Sequence, residues 1–282
     1  MKYLLIGNHG QLGSEFEDKL TELRKDFVAV DIDKVDICDY QAVTNLFSFV
    51  KPSIVINCAA YNDVDAAEYN KEMAFNVNAE AVKYLAYSAY KNHAFLIHFS
   101  SDYVFDGKKT NGMYSEIDET NPINTYGKSK LAGEHLLQNE LDDYLLFRLS
   151  WVYGSGTQNF IFKLMQWAID KEILKVTDDE ISVPTSTQVI VDVVLNSIRK
   201  GLEGMFHLTN SGYCSRFQWA ETIIKHLELN TKIEPVSQDY FKLPAKRPKF
   251  SAMSNSKISG ELNIEIPLWE VSLLDFLNPK LI

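Results

Sequence analysis

The sequence predicts an α/β protein: a doubly wound parallel sheet with a second, smaller lobe. Three observations carry this reading. The runs YLLI (3–6), FVAV (27–30), IVINCAAY (54–61) and AFLIHFSS (94–101) are continuously apolar, as strands buried on both faces must be. The stretch between the last two, EYNKEMAFNVNAEAVKYLAYSAYKN (68–92), is long and repeats its apolar residues at helical spacing. At 282 residues the chain exceeds what one core usually supports, so a second unit is expected. Strands alternating with helices make a parallel sheet whose ligands sit beyond the carboxyl ends of the strands. The expected division is a dinucleotide-binding domain over 1–150, completed by about 186–206, and a lobe over 151–185 and 207–282.

The first strand stops at Gly7, and GNHGQLG sets glycines at 7, 10 and 13 before the helical pattern SEFEDKLTEL. A pyrophosphate approaches a backbone only where no side chain intervenes, and a helix N-terminus offers it unpaired N–H groups and a favourable dipole. The spacing GxxGxxG departs from the GxGxxG fingerprint, and alone such a turn is often only a turn. The second strand, however, ends in Asp31. A carboxylate there would hold a ribose 2′-hydroxyl and repel the extra phosphate of NADP, which favours NADH, while nearby Lys34 leaves room for NADPH.

The fourth strand runs into SSDYVFDG, and the helix after the next loop carries YGKSK (126–130). Residues four apart share a helix face, so Tyr126 and Lys130 would present a phenol and an ammonium to one pocket. A free phenol titrates near pH 10, and an ammonium beside it is expected to ease proton exchange with an alcohol oxygen at neutral pH. Ser101, at the end of a strand, would hold the same oxygen. A Tyr/Lys pair at this spacing occurs on many helices by chance, but the ordered set of glycine turn, acid, serine and YxxxK seldom does.

Composition narrows the partners. A net charge of −10 gives no positive face for nucleic acid. There is no signal-peptide core and no apolar run of membrane-spanning length, so a cytoplasmic protein is expected. Cys38, Cys58 and Cys214 are odd in number and widely spaced, as reduced core thiols are, and the six histidines lack metal-site companions.

The set resembles the extended short-chain dehydrogenase/reductase superfamily, a Rossmann-type fold. GQLG, NCAAY, SSDYVFDG, YGKSKLAGE, RLSWVYG, VPTST and PAKRPKFS, colinear to about residue 255, resemble its dTDP-4-dehydrorhamnose reductase family. The resemblance implies NAD(P)H-dependent reduction of a 4-keto nucleotide sugar, in supply of a cell-surface or spore-coat polysaccharide. It implies Ser101, Tyr126 and Lys130 as catalytic residues, with Ser101 where relatives often have threonine. Gly10, Gln11 and Leu12 would wrap the pyrophosphate, with Asp36 and Ile37 on the adenine side and Ala59, Ala60 and Tyr61 at a strand tip beneath. Asp102 and Trp151 would contact the deoxysugar nucleotide. Related dehydratases carry Glu after the Asp beside the catalytic Ser or Thr; Tyr103 stands here, which favours simple hydride delivery. Some relatives hold magnesium at a homodimer contact, to which Glu15 could contribute. Where relatives carry DQxGxPT this chain reads Asp179-Glu180-Ile181-Ser182-Val183-Pro184-Thr185, and Asn62-Asp63 adds an acid near the site.

From the residues themselves, PAKRPKFS reads as a proline-stiffened basic loop in an acidic protein, with Arg247 the candidate for a substrate diphosphate. Two alternatives stand beside the main reading: a reductase of another 4-keto deoxysugar nucleotide, and a non-catalytic dinucleotide-binding regulatory subunit such as that of methionine adenosyltransferase.

Overall fold

The computed structural model describes residues 1–278, so the last four residues of the expected second lobe lie outside it. Through the first half run β1 (Lys2–Ile6), α1 (Gln11–Glu22), β2 (Asp26–Val30), α2 (Tyr40–Val50), β3 (Ile54–Asn57), α3 (Ala66–Tyr69), α4 (Lys71–Phe75), a π-helical turn (Asn76–Glu80), α5 (Ala81–Lys91), β4 (Phe95–Ser101), a 3-10 turn (Asp102–Val104), α6 (Thr125–Glu140) and β5 (Tyr144–Leu149). The second half has β6 (Val152–Tyr153), α7 (Phe160–Asp170), β7 (Ile173–Thr177), β8 (Ile181–Ser182), β9 (Thr185–Ser186), α8 (Thr187–Lys200) and β10 (Gly204–His207). It closes with β11 (Cys214–Ser215), α9 (Arg216–His226), β12 (Lys232–Val236), a 3-10 turn (Gln238–Phe241), α10 (Ser256–Leu262) and α11 (Trp269–Leu277).

Six strands form one parallel sheet in the order β10-β5-β4-β3-β1-β2. The order reverses between the neighbouring strands β1 and β3, which is where open α/β sheets open a crevice. Alternate residues of each strand serve opposite layers. Leu5, Ile56, Ile97 and Phe147 pack under α1 and α8 with Phe16, Leu20, Ile190 and Val194. Leu4, Val55, Leu96 and Leu146 pack on the other face under α2, α5 and α6 with Phe47, Leu85 and Leu137. Each such burial is worth about 1.5–3 kcal/mol, and having it on both faces explains the unbroken apolar runs. A separate cluster gathers Leu164 of α7, Val176 of β7, Trp219 and Ile223 of α9, and Leu273 of α11. Among the described residues no helix is long and apolar enough to cross a membrane.

Two close approaches position the site. Gly7 has φ +84°, and a Cβ there would lie 2.6 Å from the nitrogen of Ala59. Helix α6 lies hard against its neighbours: a Cβ on Gly127 would meet the Tyr103 carbonyl oxygen at 2.1 Å, and one on Gly133 the Asn78 carbonyl oxygen at 2.0 Å. The small residues inside and after YGKSK are therefore a packing requirement of this helix.

Gly133→Ala is expected to lose about 1–3 kcal/mol through overpacking. Gly260→Ala, in α10 with open space around it, is expected to gain about 0.5–1 kcal/mol from helix propensity. Urea midpoints at unchanged slope check both; equal shifts for the two would refute the packing account.

Candidate active site

Helix α6 begins at a firmly held point. The Asn124 side chain accepts from the Gly127 N–H at 2.7 Å and donates to the Lys246 carbonyl at 2.8 Å, while Glu68 accepts from the Thr125 N–H at 2.7 Å and its hydroxyl at 2.9 Å. One turn in, Lys130 Nζ donates to the carbonyl oxygen of Phe99 on β4 at 2.6 Å. The Asn78 side chain pins the other side, donating to the Tyr61 carbonyl and to Ser129 Oγ at 3.0 Å each and accepting from the Tyr61 N–H at 2.8 Å.

These ties bring Tyr126, Lys130, Ser101 and Asp102 to one cavity of about 370 Å³, which Gly10, Gln11, Leu12, Gly13, Ala59, Ala60 and Trp151 also line. An adjoining cavity of about 340 Å³ shares Gly10, Ala59 and Ala60 and adds Gly7, Asp31, Asp36 and Ile37. Two predicted residues stand apart. Tyr61 lies at neither wall, its backbone bound to Asn78. Arg247 lines a different cavity, and its guanidinium forks onto Asp65 at 2.6 and 3.2 Å. Glu15 accepts from Thr187 Oγ1 at 3.0 Å, and the described residues contain no cluster of three or more side chains able to hold a metal.

The double cavity fits a dinucleotide. Gly10 caps α1 without a side-chain bond, so the first N–H groups of a 12-residue helix face the space unclaimed by a cap. The Asp31 carboxylate is oriented by the N–H groups of His9 and Ile32, both at 2.8 Å, at the far end. Lys34 Nζ donates to the Ala29 carbonyl at 3.2 Å.

The electrostatics differ from the expectation of a phenol acidified by its lysine. Burial pushes Tyr126 up to about 12, the Ser101 hydroxyl pulls it down, and Asp102 pushes it further up. Burial pushes Lys130 down to about 8 against the opposing charge of Glu134. The helix face does bring the pair together, but Lys130 curls onto a strand carbonyl and desolvation dominates the titration of the phenol. At neutral pH the phenol therefore keeps its proton, the state a proton donor needs. Asp102 is pushed up to about 6 by burial while three hydroxyls stabilise its charge, those of Ser251 at 2.5 Å, Ser182 at 2.8 Å and Ser101 at 3.1 Å. Tyr103 meets Tyr126 edge-on at 5.8 Å, and burial holds it protonated.

Several lining residues escaped the sequence reading. Gln158, Asn159 and Phe160 at the start of α7 and Arg216 and Trp219 of α9 also line the cavity. The Ser215–Gln218 capping box announces a helix start beside Arg216, but no local pattern says which space that helix end faces. Trp151 is legible as a type but not in its backbone: it holds φ +39°, in the left-handed region.

Comparison with known proteins agrees along the whole length. The family model described as the RmlD substrate binding domain matches residues 1–281. The chain is 33% identical to the dTDP-4-dehydrorhamnose reductase of Escherichia coli (strain K12), over 99% of this chain and 97% of the relative. It is similar to the crystal structure of a dTDP-4-dehydrorhamnose reductase from Clostridium acetobutylicum, with TM-score 0.95, 35% identity and 99% of each chain covered. It is also similar to the Bacillus anthracis dTDP-4-dehydrorhamnose reductase in complex with NADP, with TM-score 0.93, 31% identity and 98% of each chain covered.

The depressed lysine makes a stability prediction. Folding favours the neutral amine, so from about pH 8 to the ordinary value of 10.5 the unfolded chain holds the extra proton, and stability contributed at Lys130 rises with pH across that window. Wild type should gain on Lys130→Met between about pH 8 and about pH 10 in paired urea titrations; a constant difference would contradict the buried ammonium.

Proposed function

The chain belongs to the RmlD substrate binding domain family, and from that premise we propose that it reduces the C4 ketone of dTDP-4-dehydro-β-L-rhamnose to dTDP-L-rhamnose. The observation that carries this is the shared wall of Tyr126, Lys130 and Ser101 beside the glycine turn of α1. A bound reduced nicotinamide dinucleotide supplies the hydride. When substrate binds, the Ser101 hydroxyl turns from the Asp102 carboxylate to donate to the ketone oxygen, and Tyr126 gives its phenolic proton to the alkoxide as it forms. Lys130, anchored on Phe99, lends positive charge when the phenolate is left behind. The raised pKa of Tyr126 suits this direction, since a phenol already ionised would have no proton to give. Asp102 and Trp151, both on the cavity wall, contact the deoxysugar nucleotide.

Gly7, Gly10, Gln11, Leu12 and Gly13 would hold the pyrophosphate, Asp31 the adenosine ribose, and Asp36 and Ile37 the adenine, with Ala59 and Ala60 forming the strand tip beneath. NADH is the favoured donor on account of the Asp31 carboxylate. Removal of a C5 proton, as a dehydratase requires, has no carboxylate at position 103 to perform it, because Tyr103 stays a neutral phenol. A different 4-keto deoxysugar nucleotide remains the second reading, because Asn62 borders both cavities and could select another hydroxyl pattern. Product identification after turnover of several 4-keto nucleotide sugars separates the two. A non-catalytic dinucleotide-binding subunit would show no reduced-cofactor oxidation with any of them.

Tyr126→Phe is expected to lose about 10²–10⁴ in kcat while still binding NADH; near-normal turnover would remove the proton-donor role. Asp31→Ser should shift the ratio of kcat/KM for NADPH over NADH upward by at least about tenfold, about 1.4 kcal/mol. An unchanged ratio would end the ribose assignment.

A further inference from the structure

Only two cationic side chains line the main cavity among the described residues, Lys130 and Arg216. Lys130 is committed to the Phe99 carbonyl. Arg216, the first residue of α9, reaches the cavity from the second lobe, and among the described residues its guanidinium has no hydrogen-bond partner. Its nearest anion is Glu180, 3.7 Å away and itself 4.0 Å from Arg247. Arg247, by contrast, is engaged: a two-pronged bond to Asp65 and a third to the Ala245 carbonyl at 3.0 Å.

Arg216 is held by stacking instead of by hydrogen bonds. Its guanidinium carbon lies 3.7 Å from the ring centre of Trp151, 4.9 Å from that of Phe160 and 5.5 Å from that of Trp219. The Trp151 and Trp219 centres are 5.7 Å apart and nearly parallel. Were Arg216 and Trp219 on opposite faces of Trp151, their separation would approach the sum of 3.7 and 5.7 Å; at 5.5 Å they cannot be. Both therefore sit to one side, leaving the other face of Trp151 covered by neither. A guanidinium held by cation–π contact, its carbon 3.7 Å from the ring centre, spends no N–H group on a hydrogen bond and keeps them available to a planar or tetrahedral anion.

We propose that Arg216 is a specificity-determining residue that binds the diphosphate of the nucleotide-sugar substrate, with Glu180 holding its place until that anion arrives. This rests on the nucleotide-sugar reading above. The cofactor pyrophosphate has the backbone N–H groups at the start of α1, so the second diphosphate entering the site needs its own positive group, and Arg216 is the cation not already engaged by a bond. A guanidinium released from one carboxylate at 3.7 Å gains two charge-assisted hydrogen bonds to a phosphate. The same charge lies close enough to Asp102 to favour its ionised form, which puts Arg216 on the sugar side of the cavity.

The test is calorimetric titration of dTDP into the NADH-loaded protein, beside NADH titration of the free protein. Arg216→Gln should weaken dTDP binding at least about tenfold, about 1.4 kcal/mol, and Arg216→Lys by an intermediate factor. Glu180→Gln should tighten it, because the competing carboxylate is gone. NADH affinity should stay within about twofold of wild type in all three, which also shows that they fold. With the 4-keto substrate, Arg216→Gln should raise KM more than it lowers kcat. Unchanged dTDP affinity in Arg216→Gln overturns the inference while leaving the reductase reading intact if the variant still turns over. An equal loss of NADH affinity overturns it in favour of a cofactor contact. A larger loss from Arg247→Gln than from Arg216→Gln overturns the choice between the guanidiniums. Failure of wild type to bind dTDP at all overturns this inference and the substrate reading together.

Discussion

The tie from Lys130 Nζ to the Phe99 carbonyl is the constraint on which the site depends. It clamps α6 to β4, the strand that delivers Ser101, and so fixes a phenol on a helix relative to a hydroxyl on a strand. The clamp closes only because Gly127 and Gly133 carry no side chain where carbonyls of Tyr103 and Asn78 press in. Positional accuracy of this kind is what proximity catalysis demands, since misplacement by about 1 Å can cost about a hundredfold in rate.

Beneath the clamp lies a buried charge network. Glu134 of α6 accepts two bonds from Arg148 of β5, at 2.6 and 2.9 Å, and one from Ser100 of β4 at 2.5 Å. Its negative charge sustains the ammonium of Lys130 against burial. Buried pairs of this sort add little net stability, but losing one member strands the other in a medium of low polarisability. The pair therefore locks α6, β4 and β5 into one arrangement. Beside Arg148, burial and the guanidinium push His207 down to about 3, so it stays neutral and does not compete for Glu134.

The sheet and its helices were legible because two-sided burial writes itself as unbroken apolar runs, and α1 and α6 because glycines and the YxxxK spacing mark them. Ser101, Tyr126 and Lys130 could be put on elements for the same reason, and the structure brings them to one cavity. Arg216, Asn159 and Trp219 could not be read, since their approach depends on how α7 and α9 pack on each other and on β7, which is a long-range matter with no local signature. Arg247 looked available because a basic, proline-stiffened loop announces charge; its partner Asp65 is far away in sequence and invisible to spacing arguments. The phenol and lysine spacing was read correctly as a shared face, but spacing says nothing of desolvation, and desolvation sets both titrations.

Trp151 stands in a left-handed backbone geometry that a bulky residue adopts only under restraint. Glycine would occupy that geometry freely. The indole nevertheless packs on Trp219 and under Arg216, and losing that packing costs more than the backbone relief returns, so local strain is held in place where the cavity needs a flat wall. Engineers seeking a hardier catalyst from this scaffold have reason to begin anywhere else.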